Sequence, residues 1–455
     1  MTQIKAVIKQ IESVIHHLDT YLPLANAHMV EYFTKDTFNI FMPADVASEI
    51  QEFGCLEIIE SIFAQELKNK PNIKDFIDTN ERMSLKNIPI CLSLKQFQKS
   101  LMEMGSSELS SLKLDIFMNS KKSHEVEILS CIIAALKEVS RISHVIDIGD
   151  GKGYLSSMLA LNYQIPVLGI DASKVNTEGS VQRARKLAKV WNRVVNNEKR
   201  RETYIDHYKQ ITQFVDENTD FNRLVVNVFL ESPNGMGIVG LHTCGNLGPA
   251  CLEIFHKTQD VQLLCNVGCC YHFLTELTDG DANNVKFPMS GFLKTKQYKL
   301  GRAARMIGCQ SIERILHKRE LPSKTIFQRA LFEIVLEKSS TFVPYENRQV
   351  GRFRKECVTF LEYAKAASKR INFDLTMSDE EIDLLFREYE SRVNELNLFY
   401  LMKSMLGPAI ESLILLDRLL FLQENGYTSS YIVQLFDPVV SPRCYGIIAL
   451  KPNAL

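Results

Sequence analysis

At 455 residues, with 45% hydrophobic and 24% charged residues, the chain has room for two or three compact units and the composition of an ordinary folded protein. That balance excludes wholesale disorder, collagen-like repeats and a small disulfide-stapled scaffold. The 53 Lys and Arg nearly cancel the 54 Asp and Glu, so no whole-molecule field draws the chain to nucleic acid or anionic lipid, and a polyanion must be met by a local patch.

The chain opens with Ile4, Val7, Ile8, Ile11, Ile15 and Leu18 at the spacing of one helical face, interrupted by Lys5, Lys9 and Glu12. No signal-peptide core or membrane span is read, the apolar stretch from Ile410 to Leu422 being cut by Glu411, Asp417 and Arg418. Eleven cysteines in such a chain read as reduced thiols, and the expected location is the cytoplasm or the nucleus. Residues 1–140 read as a helical region punctuated by Leu22-Pro23, Met42-Pro43, Lys70-Pro71 and Ile88-Pro89. From Ser143 the texture changes. Short β-branched runs, namely HVIDIG, IPVLGID, RLVVNVFL, GIVGLHTCG, QLLCNVGCC, ALFEIVLE and YGIIALK, alternate with helix-like segments, which predicts a parallel α/β sheet. Ala330 to Leu336 and Tyr445 to Leu450 are read as the last two strands, with a helical stretch between them. The expected division is therefore 1–140 helical, 141–336 core, 337–442 helical insertion and 443–455 last strand.

Asp147-Ile148-Gly149-Asp150-Gly151-Lys152-Gly153 follows one predicted strand and precedes a helix. Glycines at alternate positions let the backbone turn tightly and approach a ligand, and the helix start offers free amides to a polar or anionic group. About twenty residues on, Asp171 ends the next strand, where a carboxylate can accept from ribose hydroxyls. A nucleoside-bearing cofactor is expected at Asp147, Gly149, Gly151, Gly153 and Asp171. Position 154 is Tyr, so the dinucleotide pattern G-x-G-x-x-G is incomplete, whereas Asp-x-Gly-x-Gly-x-Gly resembles the first motif of class I methyltransferases that use S-adenosylmethionine. A nicotinamide dinucleotide, in an oxidoreductase, is the alternative ligand.

Further motifs carry a wider resemblance: ANAHMVEYFT (25–34), SKKSHEVEIL (120–129), DIGDGKGYLSSMLA, VLGIDAS, GLHTCGNL, CNVGCCYH, FPMS, GRAARM (301–306), ESLILLDRLLFLQE and LFDPVVSPRCYGIIALK. In this order they resemble the methyltransferase-like protein twenty-five family, which includes the ribosomal RNA adenine dimethylase domain-containing proteins. The resemblance implies a Rossmann-like α/β methyltransferase with S-adenosylmethionine as donor and Asp147 near the donor's amino-acid moiety. It names no acceptor, with RNA or protein the expected classes. The Asn-Pro-Pro-Tyr type motif of adenine-amine methyltransferases is replaced by Gly240-Leu241-His242-Thr243-Cys244-Gly245, which argues against adenine dimethylation. A non-catalytic scaffold that keeps the cofactor fold is the alternative.

His242, Cys244, Cys269, Cys270 and His272 follow predicted strands on the ligand-binding side of such a sheet. Three chemistries fit. His242 and Cys244 can bind zinc with Cys269, Cys270 or His272, though the spacing matches no common C-x-x-C pair and no resident metal is expected. Cys244 can act as a nucleophile toward C6 of a cytosine. In the favoured reading His242, Asn266 and His272 line the acceptor pocket as hydrogen-bonding or proton-accepting groups and the cysteines pack. Arg183, Arg185, Lys186, Lys189, Arg193, Lys199, Arg200 and Arg201 form a basic run at helical spacing, and Lys294, Lys296, Lys299, Arg302 and Arg305 a second. Either is a solvated face or a phosphate-binding patch for RNA. Trp191, Tyr271 and Phe273 are expected to be buried rather than stacked on a base.

Overall fold

The computed structural model describes residues 3–107, 110–114, 116, 118–194, 204–277, 284–339, 344, 347–355 and 357–452. Its centre is an eight-stranded sheet of β1 (Cys91–Ser93), β2 (His144–Ile148), β3 (Val167–Asp171), β4 (Tyr208–Thr212), β5 (Met236–Cys244), β6 (Val261–Cys269), β7 (Ser430–Gln434) and β8 (Tyr445–Leu450). The order is β1-β7-β8-β6-β5-β2-β3-β4. β2 to β6 run parallel, and β8 runs antiparallel to both β6 and β7. The chain winds outward from β2 to β4, crosses back, and winds the other way from β5. This is the doubly wound order of a Rossmann-like sheet closed by an antiparallel hairpin, as expected of a class I methyltransferase. Every residue of β2 and β8 is buried, because helices cover both faces. Among the described residues no helix is long and apolar enough to cross a membrane.

Two compact units result. Residues 1–19, 82–311 and 408–455 form the sheet unit, and residues 20–81 and 312–407 form a second. The second is helical in its described residues, with a core that includes Ile58, Phe327, Phe360, Ile382, Leu396 and Phe399. Its helix Asp379–Tyr389 opens with the expected cap, Ser378 Oγ accepting from Glu381 N while the Glu381 carboxylate accepts from Ser378 N.

Two predicted strands are helices. RLVVNVFL lies in the helix Phe221–Phe229, capped by Asp220, whose Oδ1 accepts from Arg223 N at 3.0 Å. Its buried residues, Phe221 and Val225, are four apart, while Val226 and Leu230 are exposed, so helical spacing outweighed the β-branched content. ALFEIVLE lies in the helix Lys324–Lys338, apolar nearly all round, where period cannot separate a buried helix from a buried strand. The expected core boundary at 336 falls inside this helix, and two strands, β7 and β8, follow the intervening helices rather than one. β1, β4 and β7 were not anticipated; only three of their thirteen residues are buried, all in β7, so they lack the apolar run of a central strand.

The long helix Gly407–Glu424 is largely buried despite its acidic residues because those acids have partners. Asp417, fully buried, accepts from Met289 N at 2.6 Å and from Ser290 N at 2.9 Å, while Ser290 Oγ donates to it at 2.6 Å. Glu424 accepts from Gly291 N and Phe292 N at 2.7 and 3.1 Å. Burial pushes the Asp417 carboxyl up and these hydrogen bonds pull it back. The FPMS segment is thus held to a helix more than a hundred residues away. Asp417→Ala leaves two buried amides unpaired, at about 1–3 kcal/mol each. Urea unfolding should show a loss of roughly 3–5 kcal/mol, with Asp417→Asn losing less.

Candidate methyl-donor site

A cavity of about 700 Å³ opens at the carboxyl ends of β2, β3 and β5, where the winding direction reverses. Its lining includes Asp147, Gly149 to Lys152, Asp171, Leu241, His242 and Cys244, together with Asn119 and Lys122. The fold thus brings the predicted glycine loop, Asp171, His242 and Cys244 to one place.

Gly149, Gly151 and Gly153 all have positive φ, at 78°, 57° and 69°. At Gly153 a methyl group would overlap Tyr208 Oη and Ser180 Cβ, so the loop lies where only glycine fits. Asp171 fastens it: Oδ2 accepts from Gly151 N at 3.0 Å, and Oδ1 accepts from Ser173 N and Asn176 Nδ2 at 2.8 and 3.1 Å. A carboxylate has about four acceptor positions, so capacity remains for a ligand hydroxyl. Asp147, 2% exposed, and Asp150 share Ser156, whose Oγ lies 2.8 Å from Asp147 Oδ2 and 2.7 Å from Asp150 Oδ1. Tyr208 Oη and Gln210 Nε2 also donate to Asp150. Burial pushes both carboxyls up, and for Asp147 the neighbouring Asp150 charge adds to it. A cationic group bound here would relieve that crowding of negative charge.

β5 carries an irregularity at His242. Leu241 pairs with Val267 and Thr243 with Gly268, so His242 is an extra residue, in the left-handed region at φ 69°. Such a bulge re-aims a side chain. The imidazole Nε2 lies 3.0 and 3.1 Å from the two oxygens of Glu125, which is wholly buried on the helix Ser120–Ser140. Lys122 Nζ lies 3.0 Å from the same carboxylate, and Ser441 Oγ donates to it at 2.6 Å. Burial by itself would push this carboxyl up, but His242, Lys122 and Ser441 outweigh it and hold it at about 2.

Cys244 is exposed beside His242, with its Sγ 2.9 Å from Cys269 Sγ, and Cys269 Sγ is 3.6 Å from Cys270 Sγ. The Cys269 hydrogen bond holds the Cys244 thiol down to about 6 against the effect of burial, with help from Cys270 and the nearby imidazole. The expectation of no metal rested on spacing along the chain; neighbouring strands bring these thiols together instead.

Other predicted residues lie elsewhere. Asn266 is buried within the sheet, its Oδ1 accepting from Thr243 Oγ1 at 3.1 Å. His272 has its Nδ1 3.6 Å from Cys309 Sγ and its ring against Phe273. Neither lines the cavity, because Asn266 lies within β6 and His272 on the turn beyond it. Arg183 is not a free cation of the basic run: it donates to Lys152 O and covers the Tyr154 ring at 5.1 Å, closing the back of the glycine loop. Arg185, Lys186 and Lys189 are exposed on the helix Lys174–Val194. The Arg193 side chain and residues 199–201 lie outside the described residues. In the second run Arg305 is buried against Glu276, whereas Lys294, Lys296, Lys299 and Arg302 are exposed. Trp191 and Tyr271 are buried as expected, but Phe273 is 58% exposed.

Sequence reasoning missed Glu125, Lys122, Asn119 and Ser156 as parts of the site. Glu125 did carry a signal. It faces the same way as Leu129 and Ile132 on a helix whose other inward residues are apolar or serine, and such an acid needs a partner. Glu125→Gln should lower stability at pH 7 by roughly 1.5–3 kcal/mol through loss of charged hydrogen bonds. The depressed carboxyl contributes fully above its ordinary value of 4.5 and loses that contribution as pH falls toward 2. The stability gap between parent and variant, measured by urea unfolding, should therefore narrow below pH 4.5.

Residues 121–277 match the family model described as a methyltransferase domain, a span that contains every cavity residue from Lys122 to Leu247. Probable methyltransferase-like protein 25 of Mus musculus is 28% identical, covering 97% of this chain and 96% of that protein. Its Homo sapiens counterpart is 27% identical, with the same coverage of 97% and 96%. Among solved structures, coclaurine N-methyltransferase bound to N-methylheliamine and SAH is 12% identical, covering 97% of this chain and 100% of that one. Its TM-score of 0.22 is too low to bear on the fold.

Proposed function

We infer that this chain, which belongs to the methyltransferase-like protein 25 family, is an S-adenosylmethionine-dependent methyltransferase that works in the cavity between the glycine loop and His242. The juxtaposition of that loop, fastened by Asp171, with a histidine fastened by Glu125 carries this reading. The residues fit such a donor. Asp171 retains acceptor capacity for ribose hydroxyls, the loop brings backbone close to the ligand, and the crowded Asp147 and Asp150 carboxyls suit a cationic amino group. Bound there, the donor supplies a methyl group on a positively charged sulfur. The protein's part is to hold donor and acceptor in line and exclude water, so no covalent intermediate is required. Where the acceptor atom must lose a proton, His242 is placed to take it. Glu125 accepts from Nε2–H, which fixes the ring and leaves Nδ1 as its proton-accepting nitrogen.

Calorimetry tests the donor site: Asp171→Ala should weaken S-adenosylmethionine binding by roughly 1.5–3 kcal/mol, about 10- to 100-fold. Incubating the chain and radiolabelled donor with lysate from a deletion strain identifies the fraction that takes up label. His242→Ala should lower that labelling by about two orders of magnitude while leaving donor affinity intact. Unchanged labelling would remove His242 from the reaction.

For the acceptor we propose RNA, reached through the exposed Arg185, Lys186 and Lys189 on the helix that follows Asp171. The chain is near neutral overall, so attraction for a polyanion has to come from a local basic patch such as this one. Reversing Arg185 and Lys189 to Glu should weaken RNA binding and flatten its salt dependence by about 0.7–0.9 log units per lost phosphate contact. Binding equal to the parent's at every salt concentration would make this helix a solvated face and turn the search to protein acceptors. The eleven free thiols support a reducing compartment, the cytosol or nucleus.

A further inference from the structure

The cysteines beside the cavity are not explained by methyl transfer. Their arrangement follows from the bulge at His242. The extra residue shifts the β5–β6 register so that Cys244 and Cys269 are direct cross-strand partners. Cys270, the next residue, turns into the left-handed region at φ 49°, a conformation that costs energy for any residue but glycine, and carries a third sulfur to the same place. All three Sγ atoms lie within 4.8 Å of one another. A tetrahedral zinc with bonds of about 2.3 Å needs sulfurs roughly 3.8 Å apart, inside the range these atoms already span.

We propose that Cys244, Cys269 and Cys270 hold one zinc ion whose fourth position is left to an exchangeable ligand from the side of the cavity. Three thiolates select a soft or borderline dication over magnesium or calcium. Among the described residues no further His, Cys, Asp or Glu brings a ligand atom into the same group. Three protein ligands with an open position is the pattern of a reactive zinc site, whereas structural sites are closed by four. Cys244 itself lines the donor cavity, which places the open side within reach of bound ligands.

A second observation comes from Arg418. It is 1% exposed, and neither Nη1 nor Nη2 has a hydrogen-bond partner among the described residues. Its guanidinium lies against Gly268, the residue before Cys269, where a methyl group would come within 2.5 Å of Nη1. A buried cation without a full set of partners is costly. Three thiolates and a dication sum to −1, and the guanidinium balances that charge. A Cys244–Cys269 disulfide would use two of the three sulfurs and leave unexplained both the approach of Cys270 and the unpartnered Nη atoms of Arg418.

The site goes beyond the methyl-transfer reading and is tested apart from it. Full-length protein purified under reducing conditions without chelator should carry one zinc per chain by elemental analysis. After chelation it should take up one equivalent of cobalt(II), with a thiolate-to-metal charge-transfer band and the strong visible bands of tetrahedral cobalt. Added imidazole should shift those visible bands by entering the fourth position. Cys269→Ser and Cys270→Ser should each lose the metal while circular dichroism stays native, and Cys309→Ser should keep it. A fully reduced parent that takes up neither zinc nor cobalt overturns the proposal, with no variant needed. So does a Cys269→Ser chain that retains one equivalent, or peptide mapping of fresh protein that shows a Cys244–Cys269 disulfide. Loss of metal in Cys309→Ser, or visible bands indifferent to imidazole, overturns the open position. Calorimetry of S-adenosylmethionine on the metal-free chain separates the two readings, because donor contacts come from the glycine loop and Asp171.

Discussion

One extra residue in β5 governs the site. Without the bulge at His242, the ladder that pairs Leu241 with Val267 would continue in step, and the side chains beyond it would alternate as in any buried strand. The bulge holds His242 in a left-handed conformation, lets its ring reach the buried Glu125, and realigns the strand so that Cys244 meets Cys269. Two constellations, one of acid and base and one of thiols, therefore depend on a single backbone irregularity. Glu125 is the counterweight. Its hydrogen bonds with His242 and Ser441 and its ion pair with Lys122 offset the strain of the bulge and tie β5 to the covering helix and to the segment before β8.

The same economy runs through the sheet unit. Buried charge is expensive unless it is matched by hydrogen bonds, and here each matched group joins distant parts of the chain. Asp417 and Glu424 hold residues 289–292, and Glu411 accepts from Tyr271 Oη and Arg443 Nη1, both at 2.9 Å. Tyr271, between Cys270 and His272, is thereby fixed from the helix Gly407–Glu424, with the Arg418 and Arg443 guanidinium groups both 5.6 Å from its ring centre. These ties fasten the turn after β6, and with it Cys270, more firmly than a surface loop would be held.

The glycine loop is built differently, by close approach rather than by ion pairs. Asp171 clamps Gly151, Arg183 caps Lys152, and Tyr208 fills the space under Gly153. β4, an edge strand of modest burial, thus has a role beyond extending the sheet: its Tyr208 and Gln210 meet Asp150 and set the height of the loop above β3.

Local signals were legible where a residue's chemistry and its neighbours in sequence decide the outcome. The strand, glycine loop and helix around Asp147, the acid ending β3, the cap at Ser378 and the methyltransferase motifs all depend on short-range geometry, and each stands where it was read. Helix and strand were confused at Ile334, where burial from nearly all sides erases the pattern that distinguishes them, and at Val225, where β-branched content was weighed above a helical spacing that was present. Short strands toward one margin of the sheet, such as β1 and β7, form because a neighbour offers its backbone, a cause absent from their own residues. The candidate site divides in the same way. Residue types and strand ends placed Asp147, Asp171, His242 and Cys244 correctly at one crevice. The tertiary fold alone decided that Asn266 is absorbed by the sheet, that His272 turns aside, that Glu125 grips His242, and that three cysteines with no recognisable spacing converge. Contact between adjacent strands is set by register, and register here turns on a bulge that no local propensity announces.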